Sequence, residues 1–174
     1  MLLAARPRLV ALVGQIGEDA GLAVPDGHAV RYLDQVESGN AVQVRDWTGT
    51  RAPLHAVPSG LVLLAEWPAE ALNAFLAGDL ERVTGKTVVD PAAIRARLDR
   101  VRSEGSCWAF EEFAEGIASV AAPVREARGR PVAAVHVHGP AYRFPGEGRE
   151  AAVAAAVAAT AASVSRELVA ASVA

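Results

Sequence analysis

The chain has 174 residues, of which 52% are hydrophobic, enough to bury a full core in one domain of ordinary size, residues 1–174. Its 17 basic and 20 acidic residues leave a net charge of −3, and the basic residues are scattered, which argues against a free-standing nucleic-acid binder with a basic face. One cysteine, Cys107, excludes an internal disulfide framework and a multi-cysteine metal site, and fits a reducing, cytoplasmic home.

In chain order, Leu9, Leu12, Val13 and Ile16 recur at helical spacing and predict a helix over 8–20. The apolar start is broken by Arg6, Pro7 and Arg8 and does not read as a signal peptide. Residues 22–24 read as a strand, Pro25-Asp26-Gly27 as a turn, and 28–37 as a half-buried strand by alternation. Val42 and Val44 on one face predict a further strand over 41–47. An apolar helix over 59–66 follows Pro58, Ser59 and Gly60, and Pro68 opens another with Leu72, Phe75 and Leu76 as its stripe. Asp90-Pro91 is a helix start, Ile94, Leu98 and Val101 its buried stripe, and Gly105 its end. Strands over 118–125 and 131–138 flank a turn at Arg128-Gly129.

The final helix runs from near Gly148. Val153, Val157, Val164 and Leu168 form its stripe, with acidic residues at its start and Arg166 near its end to match the helix dipole. Its alanine-rich length raises the question of a membrane span. Alanine is weakly lipophilic, and Arg166-Glu167 interrupt the run, so a soluble helix is expected. Without repeats or linkers, the order of elements predicts an α+β domain with an antiparallel sheet flanked by helices.

Few residues carry chemistry. His136 and His138 alternate on one strand, so their rings share a face. They could bind a metal, hold an anionic ligand when protonated, or sit at a polar patch. No third ligand is evident, because His28 and His55 are distant in sequence, and no metal is expected. His55 reads best as a structural residue bonded to loop backbone. Cys107 lacks any local signature of a Cys–His nucleophile. Glu111 and Glu112 are adjacent and would face opposite ways in a strand, which argues against a paired-carboxylate hydrolase. The amides at Pro58-Ser59-Gly60 open a helix and suit a small anion.

The most specific block is Gly49-Thr50-Arg51, Pro53-Leu54-His55-Ala56, Gly60 and Leu63-Leu64-Ala65. It is preceded by Arg6-Pro7, Gly17-Glu18, Leu22-Ala23-Val24 and the stretch from Tyr32 to Glu37. It is followed by Thr87, Asp90-Pro91, Arg102, Gly105, Glu111-Glu112-Phe113, Gly116, the stretch from Ala121 to Val124, and Gly139-Pro140. This ordered set resembles the C-terminal effector-binding domain of IclR-family transcription regulators over nearly the whole chain.

The resemblance implies a GAF/profilin-like fold that binds a small-molecule effector, forms a homodimer or tetramer, and allosterically controls DNA binding of the parent repressor or activator. It implies no enzyme and no cofactor. It implies contact with DNA only through an N-terminal winged helix-turn-helix, which is missing from this chain. The ligand-binding positions it implies are Pro58, Ser59, Gly60, Ala109, Phe110, Ser119, His136 and His138.

Three positions depart from the family pattern. Leu61 stands for the usual lysine after the helix glycine. Ala109 or Phe110 replaces a carboxylate before the Glu-Glu pair, and His136 and His138 replace hydroxyl residues. The effector implied is therefore an aromatic or branched organic acid rather than glyoxylate or pyruvate. The alternatives are a dimerisation scaffold with a vestigial pocket, or a Cys/His enzyme.

Overall fold

The computed structural model describes residues 1–42 and 44–171. Helix α1 (Leu2–Ile16) ends on Gly17, whose φ of 82° lets its amide return to the Val13 carbonyl. Strands β1 (Asp19–Asp26) and β2 (Ala29–Val36) form a hairpin, and the short β3 (Arg51–Pro53) pairs with β2. A 3₁₀ turn (Leu54–Ala56) leads into α2 (Pro58–Leu64), then α3 (Ala69–Leu76) and α4 (Pro91–Glu104). Strands β4 (Cys107–Phe110), β5 (Ile117–Arg125) and β6 (Pro131–Pro140) follow, and α5 (Glu150–Ala171) closes the described chain.

The six strands make one antiparallel sheet in the order β3-β2-β1-β6-β5-β4, so β6 returns to the centre beside β1. The observed architecture is the α+β, GAF/profilin-like one: a curled sheet with helices on both faces. On one face α2, α3 and α4 pack Leu61, Leu64, Leu72, Ile94 and Leu98 over Ala23, Val30, Ala121 and Ala134. On the other, α1 and α5 pack Leu9, Leu12, Val153 and Val157 over Leu22, Val120, Val135 and Val137. Strand period two divides each strand between these cores. Helix α4 has the expected cap, with Asp90 Oδ2 accepting from the Ala93 amide at 2.7 Å. Helix α5 is long and apolar enough to pass as a span, with a mean hydropathy of 1.4. Its valines face the sheet, and Arg8 of α1 pairs with Glu167 and donates to Ser163 Oγ at 2.9 Å.

Three expectations are corrected. Helix α1 begins six residues before 8, with Pro7 inside it, because the Leu3 carbonyl that proline leaves unbonded lies on an exposed turn. Of the strand expected over 41–47, residue 43 lies outside the described residues, and the others form bends and irregular chain. The four-residue strand β4 has no counterpart in the sequence reading; it is too short for its alternation to stand out.

Candidate functional site

A narrow, partly open cavity lies between the sheet and α2. Its floor is strand β6, where the pleat sends Ala134, His136 and His138 to the side opposite Val135 and Val137. Register places Gly21 and Asp19 of β1 beside His136 and His138 on one flank, and Ala121 and Ser119 of β5 on the other. Glycine at 21 is required, because a Cβ there would lie 2.5 Å from His136 Nε2 and 2.6 Å from the Asp34 carbonyl. Tyr32 of β2 meets the His136 ring edge-on at 4.9 Å.

The roof comes from distant parts of the chain. Val57, Pro58 and Ser59 line it from the start of α2, Trp47 from the loop before β3, and Glu112, Phe113 and Ala114 from the loop after β4. Trp47 and Phe113 pack at 5.3 Å. The 111–112 backbone is pinned by Thr84 Oγ1, which donates to the Glu111 carbonyl at 2.8 Å, and Thr87 Oγ1, which donates to the Glu112 carbonyl at 2.7 Å. Glu111 takes a positive φ of 60°, so the two glutamates diverge by a backbone turn rather than by strand alternation. Glu111 pairs with Lys86 and accepts the Gly116 amide, while Glu112 receives Arg97 in a buried bidentate pair at 2.6 and 2.8 Å.

Of the eight positions expected to touch a ligand, Pro58, Ser59, Ala109, Ser119, His136 and His138 line this cavity together. Gly60 does not. It faces the 3₁₀ turn, where an added Cβ would lie 2.5 Å from Leu54 Cα, and its amide donates to the Val57 carbonyl. Phe110 does not either: it is 39% exposed and stacks on Trp108 beyond the cavity. Sequence reasoning missed Tyr32, Trp47, Glu112 and Phe113. Only Tyr32, on the alternating face of β2, carried a local signal.

The cavity is dry in its electrostatics. Burial pushes the Tyr32 phenol up to about 12, with the Ser59 hydroxyl beside it acting in the opposite sense. The Ser59 hydroxyl nevertheless has no partner in hydrogen-bonding geometry, and neither do the Nε2 atoms of both histidines. Burial lowers His136 well below its ordinary value and brings His138 down to about 4, only partly opposed by Asp19, Glu18 and Asp46. The imidazoles are therefore neutral at pH 7. Several uncommitted polar atoms in an aromatic-walled pocket suit a small ligand with a few hydrogen-bonding groups.

The other candidates resolve as structural. His55 Nε2 lies 2.9 Å from the Glu81 carbonyl, tying the 3₁₀ turn to the loop after α3. Cys107 is buried, and burial raises its thiol despite nearby Arg97, the reverse of an activated nucleophile. Among the described residues no group of three or more His, Cys, Asp or Glu side chains could hold a metal.

A family model for the C-terminal part of the bacterial transcriptional regulator IclR matches residues 1–166. The chain belongs to the IclR family, as the effector-binding domain of these transcriptional regulators. It is 36% identical over 141 residues to the HTH-type transcriptional regulator BhcR of Paracoccus denitrificans, covering 80% of this chain and 50% of that protein. It is 42% identical over 154 residues to the glycerol operon regulatory protein of Streptomyces griseus, covering 87% of this chain and 60% of that protein. The chain thus spans between half and three-fifths of these two relatives. A crystal structure of an IclR homologue from Microbacterium hydrocarbonoxydans complexed with 4-hydroxybenzoate superposes with a TM-score of 0.85 at 26% identity, over 96% of this chain and 67% of that one.

Proposed function

We propose that residues 1–174 act as one ligand-sensing and oligomerising unit of a cytoplasmic transcription regulator. A small organic acid, aromatic or branched, binds in the cavity between α2 and β6. Its binding controls how the parent protein engages DNA through an N-terminal winged helix-turn-helix, and the unit associates as a homodimer or tetramer. Pro58, Ser59, Ala109, Ser119, His136 and His138 contact the ligand, with Tyr32, Trp47 and Phe113 as aromatic walls. The observation that carries this reading is the set of buried polar atoms without partners gathered in one apolar-walled cavity. The 4-hydroxybenzoate complex of the related regulator supports the ligand class. An enzyme that uses Cys107 is disfavoured by the burial that raises its thiol.

Native mass spectrometry with a panel of aromatic and branched acids, 4-hydroxybenzoate among them, tests the reading. A retained, unaltered acid on a dimer or tetramer is the expected result. A chain that retains none of them is a scaffold with a vestigial pocket, and conversion of an acid would make it an enzyme.

A further inference from the structure

His136 and His138 are 4% and 3% exposed, and their rings stack nearly parallel at 18°. Their Nδ1 atoms lie 3.4 Å apart, and neither Nε2 has a partner. The tautomers follow from counting protons. A neutral imidazole carries one N–H. With a hydrogen bond between the two Nδ1 atoms, one ring holds its proton on Nδ1 and leaves its Nε2 bare. The other ring, accepting at Nδ1, holds its proton on Nε2. The neutral pair therefore offers one donor and one acceptor. A single added proton fills the bare Nε2, preserves the Nδ1–H···Nδ1 bond, and turns both Nε2 atoms into donors on a cation of charge +1.

Among the described residues the cavity lining contains no lysine or arginine. Arg97, behind Glu112, is committed to that carboxylate and to the Trp108 carbonyl, and Arg45 lies over the ring of the lining Trp47 at 4.1 Å. A carboxylate entering the cavity thus meets no lining lysine or arginine among the described residues. The pair can supply a positive charge only by taking a proton, which burial opposes and an anion beside the rings would favour.

We propose that the cavity takes up a small monocarboxylate together with one proton, the His136–His138 pair changing from a donor–acceptor pair into a donor–donor cation as the acid seats. This rests on the ligand-binding reading above and adds the charge state and its regulation. The proton comes from the buffer and forms one N–H bond on the bare Nε2; no other bond is made or broken. A neutral amide of the same shape brings its own donor and acceptor and matches the neutral pair, so it needs no proton.

The groups facing the pair are few. From β1 come Asp19, cross-strand from His138, and adjoining it Glu18, which is held by Arg143. The loop before β3 supplies Asp46, β2 the Tyr32 phenol, and the loop after β4 Glu112. Helix α2 presents Ser59 and β5 presents Ser119, neither of which titrates. Of all these, only the imidazoles have an unperturbed range between pH 5 and 8.

The test has two arms. ¹⁵N NMR of histidine-labelled, ligand-free protein at about pH 7.5 reads the tautomers; one Nδ1–H ring and one Nε2–H ring are expected, and two rings of the same tautomer overturn the proposal. Calorimetry then follows benzoate and isobutyrate, each beside its amide, in buffers of different ionisation heat. The acids should take up about one proton per site and lose about tenfold in affinity per pH unit between about pH 6 and 8. The amides should do neither, and His136→Gln/His138→Gln should abolish the uptake. Acid binding without proton uptake overturns this inference and leaves the ligand-binding reading standing. Failure of acids and amides alike overturns both.

Discussion

Acidification should unfold this protein earlier than its carboxylates alone would require, through His138. Burial holds its folded-state pKa at about 4, whereas the unfolded chain has an ordinary value of about 6.5. As pH falls, the unfolded chain binds the proton first. The stability contributed by the neutral ring is full above about pH 6.5, declines below it, and is exhausted near about pH 4. A shift of about 2.5 units at 1.36 kcal/mol per unit corresponds to about 3 kcal/mol in total, of which about 2 kcal/mol is gone by pH 5. His136 shifts in the same direction and adds to the loss. Against a typical stability of about 5–15 kcal/mol this is a large fraction. Urea denaturation, followed by tryptophan fluorescence at about pH 7.5, 6 and 5, measures it. The His138→Gln protein should lose about 2 kcal/mol less than the parent between the extremes. Parallel pH profiles for the two proteins would refute the reasoning, because they would mean that the ring is solvated when folded.

Three further outcomes are expected. Gly60→Ala should cost about 1–3 kcal/mol or more, read as a lower urea midpoint, because α2 must lift off the Leu54 backbone to admit the methyl group. Arg97→Ala should cost about 3–5 kcal/mol by leaving Glu112 buried without its partner, and Arg97→Ala combined with Glu112→Gln should recover part of that loss in the same assay. Asp90→Ala should cost about 1 kcal/mol through loss of the α4 cap, seen as a modest fall in Tm.

Where structure was set by local chemistry, the sequence displayed it. Asp90-Pro91 and Gly105 bracket α4 because cap, proline and left-handed glycine each act within one turn of chain. The β5 and β6 strands announced themselves by alternation on either side of a turn. Alternation failed among the described residues of 41–47, where Val42 is 56% exposed and no strand pairing is formed. The paired histidines were visible as a spacing, since strand geometry alone puts them on one face. Their charge was not visible, because it depends on how completely α2 and the 112–114 loop cover them. Trp47 and Phe113 were invisible as partners because they converge from loops more than sixty residues apart in sequence. Gly60 was read as a ligand contact, but a motif shows that a small residue is needed without showing which neighbour needs the space.

Strand β6 is covered on both sides along most of its length. His136 and His138 project into the cavity, while Val135 and Val137, which alternate with them along the same backbone, pack into the core beneath α1 and α5. The strand works as a diaphragm rather than a wall. Interiors packed this closely have little give, so a displacement on one side has nowhere to dissipate within the sheet. An occupant that tilted the imidazoles would tilt the alternating valines with them and press on α5 without touching it. A push of that kind would reach α5, which packs on β6, and through it α1, which the Arg8 link ties to α5.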